Sequence, residues 1–198
     1  MARLGTLLRM VGLYEGLQGH FIDSLLLPFA TTGQIGFRER RFLGELTRSL
    51  TSSRPIIEIG TLFGLSTTVI AEHKDRDQQL ITVDNFCWNP CGLSAAAHKR
   101  LTARILEGLV ESHNVELVCM AKRDFYAQYR GERPALIFLD ADHSYEATRE
   151  DIAWALSQRA DIICGHDYAN GFPGVDRAVD DSGGVERVVG TLWVLRRK

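Results

Sequence analysis

The chain has 198 residues, 45% of them hydrophobic, enough to build one sizeable buried core within a single domain. Lys and Arg number 23 against 25 Asp and Glu, a net charge of -2, so the basic excess that a nucleic-acid backbone demands is missing and no such partner is expected. The 4 cysteines, with Cys87 and Cys91 spaced as CWNPC, fit free thiols in a reducing cytoplasmic compartment better than disulfides or a zinc site.

In chain order, the apolar N-terminal stretch is interrupted by Arg3, Arg9, Glu15 and Asp23 and lacks an A-x-A cleavage pattern. It predicts an amphipathic helix, not a signal peptide or a membrane span. Residues 1–54 are expected to form a helical cover that includes Phe21, Leu25, Leu26 and Leu27, with the Arg38–Arg41 stretch as a solvated helix face. The breaker TSSRP, Thr51 to Pro55, separates it from a core over 55–198. From Ile56 the short apolar runs PIIEIG, QLITVD, VELVCM, ALIFLD, DIICG, VERVVG and TLWVLR follow one another. Between them lie the helical stretches STTVIAEHK, AAAHKRLTARILEGLVESH, YEATREDIAWALSQ and GVDRAVDD. This alternation predicts an α/β, Rossmann-like, seven-stranded and mostly parallel sheet with helices on both faces. Only Gly190 stands between the last two runs, too little for a crossover, so they predict an antiparallel hairpin at the C-terminal edge.

Ligands of such sheets bind outside the carboxyl ends of the strands, and polar residues collect at those ends here. The segment EIGTLFGLSTT turns through Gly60 and Gly64 and opens a helix at Ser66 and Thr67. Asp84 ends the next run, about 20 residues past Gly64, the separation at which Rossmann folds hold a ribose diol. A nucleoside is therefore expected. Glu58 beside the loop would repel a pyrophosphate and favour a sulfonium, so S-adenosyl-L-methionine is preferred over NAD as its source. A second cluster, FLDADHSY and then GHDY, could bring Asp140, Asp142, His143, His166 and Asp167 to one rim. An imidazole beside a carboxylate suits a general base, and His143 is favoured over His166 for that role. Asp142 and Tyr145 read as cap and packing for the following helix, and the aromatic loop with Phe86 and Trp88 as either a pocket wall or a cover for the helix beneath.

EIGTLFGLST, VDNFCW, FLDADHSYEATREDIAW, GHDYANGFPGV and TLWVLR, in this order over about 140 residues, resemble a class I S-adenosylmethionine-dependent methyltransferase. Within that superfamily they are most similar to small-molecule O-methyltransferases of the macrocin and catechol type. The resemblance implies that Glu58, Gly60, Thr61, Gly64, Ser66 and Thr67 surround the methionine part. Asp84 would hold the ribose with Asn85 alongside, Ala121 and Lys122 would lie near the adenine, and Asp140 would border the cofactor. It also implies a divalent ion, magnesium or manganese, on Asp140, His166 and Asp167, although an imidazole at His166 departs from the oxygen ligands that magnesium prefers. The acceptor would be a small molecule methylated at a hydroxyl oxygen, and the N-terminal portion would cover the cofactor or form a homodimer interface. The alternatives that the residues leave open are a NAD-dependent oxidoreductase and a non-catalytic binding protein of methyltransferase fold. A nucleic-acid base methyltransferase is disfavoured because DADH occupies the place of an Asn-Pro-Pro-aromatic tetrad.

Overall fold

The computed structural model describes residues 34–196; the expected helix carrying Phe21, Leu25, Leu26 and Leu27 lies outside them. The first helix described, α1 (Phe37–Arg48), precedes the TSSRP segment. Then follow β1 (Ile56–Ile59), α2 (Leu65–His73), β2 (Leu80–Asp84), α3 (Ala95–Ser112), β3 (Val115–Cys119), α4 (Lys122–Gln128) and β4 (Leu136–Leu139). The chain closes with α5 (Tyr145–Ser157), β5 (Ile162–Gly165), α6 (Pro173–Asp181), β6 (Val185–Val189) and β7 (Leu192–Leu195). The seven strands form one sheet, as the alternation predicts, in the order β3-β2-β1-β4-β5-β7-β6. β1 to β5 pair in parallel, while β7 runs antiparallel to both β5 and β6.

Every residue of β1 and β4 is buried, because helices cover both faces and the strands read as continuous apolar runs rather than alternating ones. Ile57, Ile59, Ile137 and Leu139 pack with Ile152 and Trp154 of α5 and Val175 and Val179 of α6. On the opposite face Ile56, Leu136 and Phe138 meet Phe42 and Leu43 of α1 and Val69 and Ile70 of α2. α1 thus shares a core with the sheet. Serines cap two helix starts: Ser94 accepts from Ala97 N at α3, and at α5 Ser144 accepts from Ala147 N in the capping place expected of Asp142. α4 is absent from the sequence expectation. It has seven residues, of which only Phe125 is buried, and so leaves no periodic apolar trace.

The chain turns from β6 to β7 through Gly190 and Thr191, with Gly190 at φ +65°, a conformation that a two-residue hairpin demands and glycine supplies. Strand order reverses between β1 and β4, and there the chain ends of both strands touch. A Cβ on Gly60, whose φ is +101°, would overlap the Asp140 carbonyl oxygen. Glycine is therefore required at this seam by backbone contact as well as by its torsion. Among the described residues no helix is long and apolar enough to cross a membrane.

Candidate active site

A cavity of about 670 Å³ opens at the carboxyl end of the sheet across this switch point. Gly60 and Leu62, Asp84 and Asn85, Met120 to Arg123, and Asp140 to His143 form its wall, with Gln34, Cys87 and Trp88 at the side. Asp84 uses both carboxylate oxygens within the chain: Oδ2 accepts from Thr61 N at 3.0 Å and Leu62 N at 2.9 Å, and Oδ1 from Phe86 N at 2.7 Å. It pins the β1 loop to the β2 loop while its edge still faces the cavity. Asn85 and Ala121 also lie on the wall, and the Lys122 ammonium is held 2.7 Å from Asp151, whose other oxygen accepts from Tyr126. Burial pushes the Asp151 carboxyl up, opposed by Lys122 and the Tyr126 hydroxyl.

Glu58 requires a correction. It is wholly buried and absent from the cavity wall, on the side of β1 that faces α2. Its Oε2 accepts from Thr67 Oγ1 at 2.5 Å and Thr82 Oγ1 at 2.6 Å, and burial raises its pKa to about 7 despite these hydroxyls and that of Ser66. The expected negative field beside the loop is thus weak, because desolvation favours the neutral acid. Thr67 is likewise fully buried and belongs to this cluster rather than to the cavity. Thr61, hydrogen-bonded to Thr82, and Ser66 border a small recess between the Gly60–Ser66 loop and Gln34–Ile35. Gly64 caps α2 through an αL torsion, and a Cβ there would strike Leu106.

Across the seam, β4 and β5 bring Asp140, His143, His166 and Asp167 together. His143 Nε2 lies 3.0 Å from Asp167 Oδ2 and 3.6 Å from Asp140 Oδ1. His166 Nδ1 lies 3.3 Å from Asp167 Oδ1 and 3.8 Å from Asp140 Oδ2. These approaches are ionic in distance, yet neither buried nitrogen has an aligned hydrogen-bond partner. Asp140 and then Asp167 raise the His143 pKa to about 9 against the opposing effect of burial. Burial lowers that of His166, but Asp167, Asp140 and Glu39 outweigh it and the net shift is upward. Asp167 would be raised by burial, but His143, His166 and Asn170 bring it well below the ordinary carboxylate range. Asp167 also adopts φ +66°, a left-handed torsion that a short polar side chain tolerates better than most. One ligand atom each from Asp140, His166 and Asp167 fall within 4.8 Å of one another. Two carboxylates and an imidazole lone pair form a donor set for a divalent ion with some affinity for nitrogen, such as manganese.

Asp142 and Tyr145 are structural, as the sequence implies: Asp142 accepts from Ser144 N, and the Tyr145 hydroxyl ties α5 to Asp181 of α6. The aromatic loop divides its labour, with Phe86 buried beneath and Trp88 exposed at the cavity mouth. Three residues escaped the sequence reading. His98, fully buried between Phe63 and Phe86, contacts the Leu62 carbonyl at 2.8 Å and, with Thr102, fixes the cavity loop where Leu62 takes a positive φ. Glu39 belongs to the stretch read as a solvated face. Arg38 and Arg41 do point outward, but Glu39 is buried against Thr191, the third unforeseen residue, and against His166. An N3 glutamate reads as an ordinary helix start, and nothing local marks its second role.

A sheet of this order with a glycine loop, a strand-end acid and an acid-histidine cluster at its switch point defines a class I methyltransferase fold. Residues 57–168, more than half of the chain, match the family model described as "Methyltransferase domain", and the chain belongs to that family. Among solved structures it is similar to cofactor-bound Rv0187 from MTB, with 20% identity over 94% of this chain and 95% of that one and a TM-score of 0.67. An O-methyltransferase from Bacillus cereus in complex with SAH shares 18% identity over 90% of this chain and 86% of that one, TM-score 0.62. TomG, an O-methyltransferase from Streptomyces achromogenes involved in tomaymycin synthesis and solved with SAM, shares 20% over 75% and 69%, TM-score 0.57. No curated protein matches the chain.

Proposed function

We propose that the chain transfers the methyl group of S-adenosyl-L-methionine to a hydroxyl oxygen of a small molecule, with a divalent ion held by Asp140, His166 and Asp167. The observation that carries this reading is the continuity of one cavity from Asp84 and Ala121 to the Asp140–His143 rim, which puts a nucleoside wall and an ionisable cluster on the same space. Structures of related fold contain SAM or SAH, and two are O-methyltransferases. The preference over a dinucleotide no longer stands on Glu58. It stands on Thr61 N and Leu62 N, two loop amides that a pyrophosphate would seek and that Asp84 already occupies.

Methyl transfer forms an O–CH3 bond in line with the breaking S–CH3 bond; the bonding pair returns to sulfur as a neutral thioether, and the hydroxyl proton passes to His143 in its neutral form. Holding the two reactants in that alignment supplies much of the acceleration. Asp140, His166 and Asp167 would hold a divalent ion, which would lower the pKa of a hydroxyl oxygen at the rim. Asp140 and Asp167 orient the His143 ring, which carries a proton at neutral pH while both carboxylates face it and acts as an acceptor only when they are engaged elsewhere. His166 and Asp167 are buried and do not line the cavity; Asp140 and His143, which do, connect them to it.

Ligand-dependent melting tests the reading: S-adenosylhomocysteine at a hundredfold excess over its Kd stabilises the chain by about 2.7 kcal/mol, whereas NAD leaves it unchanged. A shift with NAD alone replaces this reading with an oxidoreductase. Cofactor binding without S-adenosylhomocysteine release across a panel of phenols, catechols and sugars, with manganese or magnesium present, replaces it with a binding protein.

A further inference from the structure

The end of His166 that faces away from the acid cluster is held by a chain of hydrogen bonds reaching outside the strand-end motifs. Thr191 Oγ1, on the β6–β7 turn, lies 2.9 Å from His166 Nε2 and 2.8 Å from Glu39 Oε1. Glu39 Oε1 also accepts from Thr191 N at 2.7 Å, and Oε2 accepts from Gly36 N at 2.5 Å. Gly190 leaves room for this carboxylate, since a Cβ there would sit 2.4 Å from Glu39 Oε1.

A hydroxyl has one proton, and a carboxylate only accepts. Glu39 accepts from two backbone amides and the Thr191 hydroxyl, the donor environment of an ionised carboxylate. The Thr191 proton therefore goes to Glu39, and its lone pair must receive Nε2–H of His166. Nδ1 then faces Asp140 and Asp167 as the ring's open position, held by a proton in the free chain and available to a divalent ion that displaces that proton.

We propose that Glu39, acting through Thr191, is a positioning residue that fixes His166 as the Nε2–H tautomer and so makes Nδ1 a ligand for a divalent ion. The proposal rests on the metal reading above. It gives α1 a function beyond packing: the helix start and the edge hairpin together set the donor atom of the metal centre, and a distortion of either reaches the site through one hydroxyl.

The test uses the full-length chain with manganese or cobalt chloride alone, so no acceptor needs to be known. Thr191→Val keeps the shape and removes the relay, Thr191→Ser restores the hydroxyl, and Glu39→Ala removes its terminal acceptor. Expected by calorimetry is a loss of ion affinity of about 10- to 100-fold in Thr191→Val and Glu39→Ala, with Thr191→Ser within about threefold of the parent. Nitrogen chemical shifts of the labelled imidazole, followed upward in pH until the ring is neutral, report the tautomer without any ion: Nε2–H in the parent and in Thr191→Ser, a mixture in Thr191→Val. Melting temperatures monitor folding, and the nitrogen shifts of the parent chain test the relay independently of any variant. Equal ion affinity in parent and Thr191→Val, or a neutral ring protonated at Nδ1 in the parent, overturns the proposal. A parent chain that takes up neither ion in an Asp140-dependent manner overturns the metal reading itself, which is a different result.

Discussion

On the β1–β3 side of the switch point the charged groups at the cavity are already partnered: Asp84 accepts three backbone amides, and Lys122 is held by Asp151. On the β4–β5 side, two carboxylates and two imidazoles crowd together with buried nitrogens that lack aligned partners. The first half is a preorganised wall that can receive a nucleoside without rearranging; the second is a concentration of charge that calls for a cation and an ionisable oxygen. Buried polar groups are almost always satisfied; of the four unmatched side-chain atoms among the described residues, two are the imidazole nitrogens of this cluster, and the others, Glu58 Oε1 and Trp154 Nε1, lie apart from the cavity lining.

The strongest way to break this contrast is Asp140→Asn. It retains the side-chain volume but removes a charge from the donor cluster. Manganese uptake should be lost and methyl transfer should fall at least about 100-fold, while the melting shift given by S-adenosylhomocysteine persists. If cofactor binding fell in step with ion uptake, the two halves would be one site and the division would be wrong. Next in size is Gly60→Ala at the seam. Its Cβ would meet the Asp140 carbonyl at φ +101°, and a loss of about 3 kcal/mol in urea unfolding is expected. The halves then separate together, with cofactor and manganese affinity both reduced.

A third prediction concerns pH. The Glu58 carboxyl is raised from 4.5 to about 7 by burial, so the folded chain binds its proton more tightly than the unfolded chain does. The resulting stabilisation is present in full below the unfolded value and is lost as pH rises through 7. It amounts to ~3 kcal/mol between pH 4.5 and 8, to order of magnitude. Glu58→Gln should flatten that part of the stability profile in denaturant titrations, and an unchanged slope would mean that the carboxyl is ionised in the fold.

Much of this was legible before any coordinates. β1 and β4 lie in the middle of the sheet and are buried on both faces, so their unbroken Ile and Leu runs announce a parallel sheet. The acids and histidines follow those runs directly, and the topology delivers them to one rim. The orientation of Glu58 was misread from its place next to the loop, although a period of two sets it on the face of Ile56, beneath α2, and not at the rim. What stayed hidden was long-range. Glu39 meets Thr191 across 152 residues of sequence and His98 reaches Leu62 across 36, and no local pattern encodes such pairs. α4 was missed because one buried Phe cannot display a period.

The smallest expected effect sharpens the contrast at the cavity mouth. Trp88 is 62% exposed and lines the cavity beside Asn85 and Cys87, while its neighbour Phe86 is 1% exposed and holds the loop against His98. Trp88→Ala therefore removes surface that only an incoming acceptor would cover. The folded state should change by less than about 0.5 kcal/mol, with cofactor affinity untouched. KM for an aromatic acceptor should rise about threefold to tenfold at nearly constant kcat, because an aromatic face contributes equally to the ground and transition states. Phe86→Ala should instead cost stability and weaken cofactor binding, since it loosens the wall itself. If Trp88→Ala lowered kcat and left KM alone, the tryptophan would be shaping the reacting geometry, and the wall of the preorganised half would extend further toward the acid cluster than its hydrogen bonds indicate.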